Sequence, residues 1–469
     1  MLSHLFQAST PSDIAAVARV DGPDRVAITV SELRDRVQNA RERIGHVQCR
    51  SVLIETPRPF DFLVNALAVF DAGGVVLPVN LRTPKDQRKH DVFGAVARVS
   101  DEGVERLPSP RAYDPDIRLI LSTSGSSGKR RHAMLTERGI LANIEAILSY
   151  LPLRDHRRPA IVLPLWYSYA LVGQALTAFR AGATPILLND EPFPIRQLQA
   201  MAQHEVDGLS SVPTSLRRLT ETARELSKAE RPKLAYLASA GEPLGRSTIA
   251  LMRKVFPGVR LFNQYGLTEA SPRVAAISDD DIGFDAGSVG RPLPGITIEA
   301  WHSDGRPVLA SDPAELVVTG PSVMRGYLDD PEATAAVLTE RGLRTGDLGY
   351  FDSKGRVYVV GRKDDVVKVS GERISLIEVG ETLCTHAGTE ECIVLGAPDE
   401  YGTLHLVAFA RTLDLPGLKR FARDNLAPVA RPVRWVGMSA IPRNTSGKVD
   451  RAELRGLAAR ALDLKGSQA

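Results

Sequence analysis

Residues 119–134 read LILSTSGSSGKRRHAM. An apolar run stops at Leu121, and small residues follow: Thr123, Ser124, Gly125, Ser126, Ser127 and Gly128. Three cations, Lys129, Arg130 and Arg131, complete the stretch. Glycines let successive N–H groups converge on an anion, and hydroxyls add donors. Lys and Arg supply charge to an oxyanion. The combination suits a polyphosphate held beyond the end of a buried strand; a solvated turn between strand and helix is the alternative. It is not a Walker A loop, because only two residues separate Gly125 from Gly128 and Arg130 follows Lys129. No two glycines in the chain stand two apart, so G-x-G-x-x-G is absent.

The same strand-then-loop rhythm runs outward from that stretch. Ser31 is placed to cap a helix burying Leu33, Val37, Ala40 and Ile44. SVLIE (51–55) and GVVLPV (74–79) read as buried strands around a helix near 60–70. AIVLPL (160–165), TPILL (184–188), GLSSVP (208–213), LAYLASAG (234–241) and VRLFNQYG (259–266) continue the pattern, with helical segments between. That alternation predicts an α/β fold of mostly parallel, helix-wrapped sheets. Short strands and turns follow from about residue 274, giving a small β-region. The charged segment 360–375 reads as a joint between a large N-terminal domain (1–363) and a small mobile α+β C-terminal domain (364–469). Ligands of such sheets sit at the carboxyl ends of the strands.

Composition narrows the class. The chain has 469 residues, 43% hydrophobic and 25% charged, as in a globular enzyme. A net charge of +3 gives no basic field for nucleic acid. Cys49, Cys384 and Cys392 form no C-x-x-C pair and read as reduced thiols. No apolar run is long enough for a membrane span and no secretion signal stands at the N-terminus, so a cytoplasmic location is expected.

Three further loops carry polar groups. SAGEPL (239–244) is a Gly turn suited to a flat heterocycle; NQYGLTEAS (263–271) offers amides, Tyr265, Thr268 and Glu269; RTGDLG (344–349) offers Asp347. Each has a bland alternative as turn, core aromatic or solvated acid. With GSVGRPLPG (287–295), RTGDLGYFDSKGRVYVVGRKDD (344–365), VKVSGERI (367–374) and PRNTSGKVDR (442–451), they occur in an order that resembles the AMP-forming acyl-adenylating superfamily. That superfamily includes acyl- and aryl-CoA synthetases, peptide-synthetase adenylation domains and luciferases.

The resemblance implies an ATP-dependent acid–thiol ligase. It places Thr123, Ser124, Gly125, Ser126, Ser127, Gly128 and Lys129 around the β- and γ-phosphates of ATP. Gly241, Glu242, Asn263, Gln264, Tyr265 and Gly266 would frame the adenine, and Thr268 would reach the α-phosphate. Glu269 would hold Mg²⁺, and Asp347 and Arg362 would bind the ribose. Lys448 would bridge the attacking carboxylate and the α-phosphate. A swivel at the hinge Asp364 would then bring Lys368 and Gly371 to the thiol tunnel. The thiol co-substrate would be the phosphopantetheine arm of CoA or of a free-standing acyl or peptidyl carrier protein.

This chain departs from the pattern in places. Arg130 and His132 stand where relatives carry Pro and Gly, which adds charge at the loop. Leu376 and Gly380 replace a common Pro and Glu, Tyr167 replaces a frequent His, and the region ahead of the loop is short. No acidic residue lies between Arg157 and Asn189 to pair with an α-ammonium. An uncharged acyl or aryl acid is therefore expected, against Trp166, Tyr167, Leu171, Ser239 and Gly241, with core aromatics as the alternative. Two competing readings stay open: a non-catalytic relative binding nucleotide or carrier protein, and an adenylating enzyme for a β-amino acid. NQYGLTEASPR looks more like stand-alone biosynthetic ligases than like long-chain fatty acid enzymes.

Overall fold

A computed structural model describes residues 5, 15–21, 24–81, 93–108, 110–124, 130–188, 191–285, 287–302, 308, 312–369, 372–398, 403–443 and 449–463. Helix α1 (Val30–Ile44) buries Val30, Leu33, Val37, Ala40 and Ile44, the face expected from the sequence. Its cap is Thr29 and not Ser31. The Thr29 hydroxyl accepts from the Glu32 amide at 3.2 Å, and the Glu32 carboxylate accepts from the Thr29 amide at 2.8 Å. Val30 belongs to the buried face, so the helix starts two residues earlier than a cap at Ser31 would allow. Losing such a cap costs about 1 kcal/mol. Thr29→Ala is expected to lower stability by about that much, read as a shifted urea midpoint of the transition that reports on this domain; Thr29→Ser is expected to restore it.

Strand β1 (Ser51–Glu55), helix α2 (Pro59–Asp71) and strand β2 (Val75–Pro78) form the expected parallel unit. Strand β3 (Ile117–Ser124) lies parallel to β2. The chain then returns antiparallel as β4 (Arg130–Thr136), with Ser124 opposite Arg130 and Thr123 opposite Arg131. The glycine-rich stretch therefore joins two strands, and helix α3 (Glu137–Leu148) begins only after β4, capped by Thr136. These strands belong to a seven-stranded sheet.

A nine-stranded sheet holds β5 (Gly208–Ser211), β6 (Tyr236–Ala240) and β7 (Arg260–Tyr265), all parallel. The expected strands at 160–165 and 184–188 shrink to Pro159–Ile161 and Ile186–Leu187. Pro164 cannot donate to a ladder, and WYSYALVGQ turns into a short helix followed by a π-helix at Leu171–Leu176. Strands β8 (Gly342–Phe351) and β9 (Val357–Arg362) sit in a separate antiparallel sheet, the expected β-region.

Beyond residue 365 a hairpin, a three-stranded sheet and three helices carry apolar clusters of their own, around Leu383 and Leu406 and around Phe409 and Leu454. No helix among the described residues is long and apolar enough to cross a membrane.

Candidate active site

Strands β6 and β7 run in register, with Ser239 opposite Asn263 and Ala240 opposite Gln264, so their loops leave the sheet side by side. Gly241 turns the first loop at φ +91°, a conformation that only glycine adopts without strain. The second loop doubles back on itself: the Val274 amide donates to the Tyr265 carbonyl at 2.9 Å. A Cβ on Gly266 would lie 1.8 Å from the Pro272 carbonyl oxygen, so this close approach excludes any side chain there. Inside the doubled loop a 3₁₀ turn presents Thr268 and Glu269.

Asp347 forms the hub of the site. Its Oδ2 accepts from the Tyr265 hydroxyl at 2.6 Å, and its Oδ1 accepts from Arg362 Nε at 3.1 Å. Asp347 and Arg362 are cross-strand partners on β8 and β9, which fixes their approach. The Asp347 amide donates to the Thr345 hydroxyl at 3.0 Å, and Arg362 also donates to the Thr345 carbonyl at 3.2 Å. Burial, then the Asp347 charge, push the Tyr265 phenol well above its ordinary value, so it stays a donor. Burial works against the Arg362 cation, but Asp347 and Glu269 outweigh it and raise the guanidinium. Glu269 and Asp347 thus act on one cation and belong to one site.

Glu269 is held from the other side. The Tyr327 hydroxyl donates to its Oε1 at 2.8 Å, and the Met324 amide donates to its carbonyl at 2.8 Å. Tyr327 pairs with Ala133 of β4, which ties the metal-suited carboxylate to the strand leaving the glycine-rich stretch. Arg131 stacks 5.4 Å above the Tyr327 ring. Burial first, then Glu269, hold the Tyr327 phenol well above its usual range. Thr268 Oγ1 lies 3.2 Å from Ser168 Oγ, which places the WYSYAL segment beside the turn that carries Thr268 and Glu269.

Other residues expected in the site are held by contacts within the protein. Asn263 donates to the Ser288 carbonyl at 3.0 Å, and Gln264 accepts from Arg273 Nε at 2.9 Å. Both side chains are buried and engaged, so the loop backbone is left to face a heterocycle. Glu242 accepts from the Thr214 hydroxyl. His132 does not add an outward charge at the loop: it is buried, with its ring 4.2 Å from Phe93. Leu171 is fully buried in the main core cluster, where it supports the π-helix. Trp166 Nε1 and Ser239 Oγ are buried without a hydrogen-bond partner among the described residues, and the Tyr167 hydroxyl accepts from Asn80 at 3.5 Å.

Gly125, Ser126, Ser127, Gly128, Lys129, Gly371 and Lys448 lie outside the described residues, as do the side chains of Ser124, Arg130, Asp364 and Lys368. Sequence reading missed Tyr327, Ser168 and Arg273. A charged residue directly ahead of the apolar run VAAIS (274–278) was the available signal for Arg273.

Tyr265, at the end of parallel strand β7, thus meets a carboxylate and a guanidinium from antiparallel β8 and β9 beside a second carboxylate, an arrangement suited to a ligand at the strand ends. Comparison with known proteins gives the family. The AMP-binding enzyme family matches residues 91–328, and the AMP-binding enzyme C-terminal domain matches residues 378–448. The chain belongs to the AMP-binding enzymes of the acyl-adenylating superfamily. It is 31% identical to a feruloyl-CoA synthase of an Amycolatopsis species, over 92% of this chain and 94% of that one. It is 29% identical to the long-chain-fatty-acid–CoA ligase of Salmonella typhimurium over 76% of this chain, but spans only 64% of that protein's length. The ATP-bound structure of MatB from Rhodopseudomonas palustris shares the fold, with a TM-score of 0.85 at 23% identity, covering 97% of this chain and 98% of that one.

Proposed function

We propose that the protein is an ATP-dependent acid–thiol ligase, which joins a carboxylic acid to AMP with release of pyrophosphate and then passes the acyl group to a thiol. The observation that carries this reading is the Tyr265–Asp347–Arg362 cluster abutting Glu269 and Thr268 at the strand ends. Asp347 keeps acceptor capacity on both oxygens for a ribose diol, and Tyr265 gives the adjoining aromatic wall. Thr268 presents its hydroxyl to the α-phosphate, and Lys448 bridges that phosphate and the incoming carboxylate.

Glu269 fits a magnesium ion shared with phosphate oxygens, because a hard cation of this kind uses one or two protein carboxylates and keeps its other positions for substrate and water. Only one Glu269 oxygen is engaged among the described residues, and they hold no three-ligand His, Cys, Asp or Glu cluster that would argue for an all-protein cage. An Mg²⁺ held by Glu269 would supply charge that lowers the repulsion between the acid and the triphosphate. The residues from Thr123 to Lys129 cradle the outer phosphates.

In the second step the C-terminal domain, with its boundary at Asp364, swivels to exchange Lys448 for Lys368 and Gly371 beside the thiol path. CoA is the acceptor that the named relatives support, since they are feruloyl-CoA synthase, oxalate–CoA ligase and long-chain-fatty-acid–CoA ligases. The phosphopantetheine of a separate carrier protein presents the same thiol. ATP–pyrophosphate exchange with a panel of carboxylic acids tests the first step: acid-dependent exchange is expected, and exchange with no acid in the panel contradicts it.

Tyr327 positions the metal carboxylate. Tyr327→Phe removes one charge-assisted hydrogen bond, worth about 1.5–3 kcal/mol when fully made. Exposure of the site reduces that, and the expected result is a Mg²⁺ requirement raised about 5- to 20-fold, with maximal exchange at saturating Mg²⁺ largely kept. An unchanged Mg²⁺ titration shows that Tyr327 does not position Glu269 for the ion.

A further inference from the structure

We propose that Arg273 is the subsite for a second anionic group on the acid substrate, most simply the distal carboxylate of a dicarboxylic acid. The proposal rests on the ligase reading and replaces the expectation of an uncharged acid.

Arg273 is 3% exposed, yet no carboxylate pairs with it among the described residues. Its neighbours are neutral. The guanidinium carbon lies 3.8 Å from the centre of the Tyr169 ring, and Nε donates to the Gln264 carboxamide at 2.9 Å. Its backbone is clamped by Asn143, which accepts from the Arg273 amide at 3.2 Å and donates to the Arg273 carbonyl at 2.6 Å. Burial pushes the Tyr150 and Tyr169 phenols up, Tyr169 to about 12, against the opposing pull of the Arg273 charge. Both stay protonated, so neither balances the cation. A buried charge without a counter-charge is costly, and the aromatic face offsets only part of that cost. A bidentate anion supplies what is missing.

The position suits a substrate group. Tyr169, under the guanidinium, follows Ser168, whose hydroxyl touches Thr268. Gln264, which holds Nε, precedes Tyr265 of the nucleotide cluster. On the side of the π-helix the guanidinium meets a glycine: a Cβ on Gly173 would lie 3.7 Å from Arg273 Nη2, 3.7 Å from Tyr169 and 3.3 Å from Pro272. The Tyr150 hydroxyl, buried beside the Arg273 cation, offers a further donor. A cation held rigidly over Tyr169, the neighbour of Ser168, selects for a second charge on the acid rather than for bulk.

The test compares dicarboxylic acids with their monomethyl esters in ATP–pyrophosphate exchange, since the ester keeps the shape and removes the distal charge. Wild type is expected to prefer the diacid by about 100-fold or more in kcat/KM, because a site built around a charged contact rejects the analogue lacking it. Arg273→Met is expected to bring that ratio below about 5-fold, and Arg273→Lys to restore part of it. Equal use of diacid and ester by wild type overturns the proposal without recourse to any variant, and so does an unchanged ratio in folded Arg273→Met. Exchange with neither class overturns the ligase reading and the subsite with it, an outcome distinct from exchange indifferent to charge.

Discussion

Lys448→Ala is expected to reduce acid-dependent pyrophosphate exchange by about 10²–10³, while thioester formation from a synthetic acyl-adenylate continues. The first half-reaction brings a carboxylate against a triphosphate, two anions whose approach is opposed until charge is neutralised at the reacting atoms. Removing one charge-assisted contact made in a transition state costs about 3–4 kcal/mol, which gives that factor. The second half-reaction would start from a mixed anhydride that carries its own leaving group, and the proposed swivel at Asp364 would take Lys448 away from it. Asp364→Pro, which stiffens the hinge, is expected to do the opposite, letting adenylate accumulate while thioester formation stalls. Lys368→Ala is expected to fall on the thioester side. Equal damage to both half-reactions in Lys448→Ala would show that the two steps do not alternate between lysines in this protein.

Asp347→Ala is expected to raise the KM for ATP by about 30- to 150-fold, corresponding to about 2–3 kcal/mol. The substitution removes the acceptor of a buried phenol and the partner of a cation in one change. Breaking a fully buried pair costs about 3–5 kcal/mol; Arg362 is 47% exposed on its side chain, and water recovers part of the loss. Asp347→Asn keeps one acceptor oxygen and is expected to fall between Asp347→Ala and wild type. Tyr265→Phe deletes the donor but leaves the carboxylate paired with Arg362, so its effect is expected to be smaller, within about 10-fold. A KM for ATP unchanged in Asp347→Ala, with the fold intact, would remove Asp347 from the nucleotide site.

What the sequence made legible divides along physical lines. The parallel strands were visible because buried β-strands are short apolar runs ended by Gly or Pro: 51–55, 75–78, 208–211, 236–240 and 260–265 all appear close to where they were expected. The cap of α1 was misplaced because Val30 belongs to the buried face, and periodicity does not tell a helical Val from one just before the helix. The return of the glycine-rich stretch as a second strand was missed because RRHAMLT mixes cations with apolar residues, which serves a half-buried strand beside a loop as well as it serves a helix start.

Asp347, Arg362 and Glu269 were legible as candidates because each side chain suggests its own chemistry, and the structure brings them together. Partnerships were not legible. Tyr327 meets Glu269 across 58 positions and Tyr265 meets Asp347 across 82, contacts that only the sheet pairing creates. Its place ahead of VAAIS does not by itself mark Arg273 as buried, and only the fold brings it onto the Tyr169 ring.

Adenylation is tested most directly by following a carboxylate oxygen. With the acid labelled by oxygen-18 in both carboxylate oxygens, ATP, Mg²⁺ and hydroxylamine as the trapping nucleophile, attack on the α-phosphate leaves one labelled oxygen in AMP when the acyl group departs. Mass spectrometry of the nucleotide products is expected to show AMP heavier by one oxygen-18, with pyrophosphate and phosphate unlabelled. Label in inorganic phosphate, or unlabelled AMP beside the hydroxamate, would contradict an acyl-adenylate intermediate.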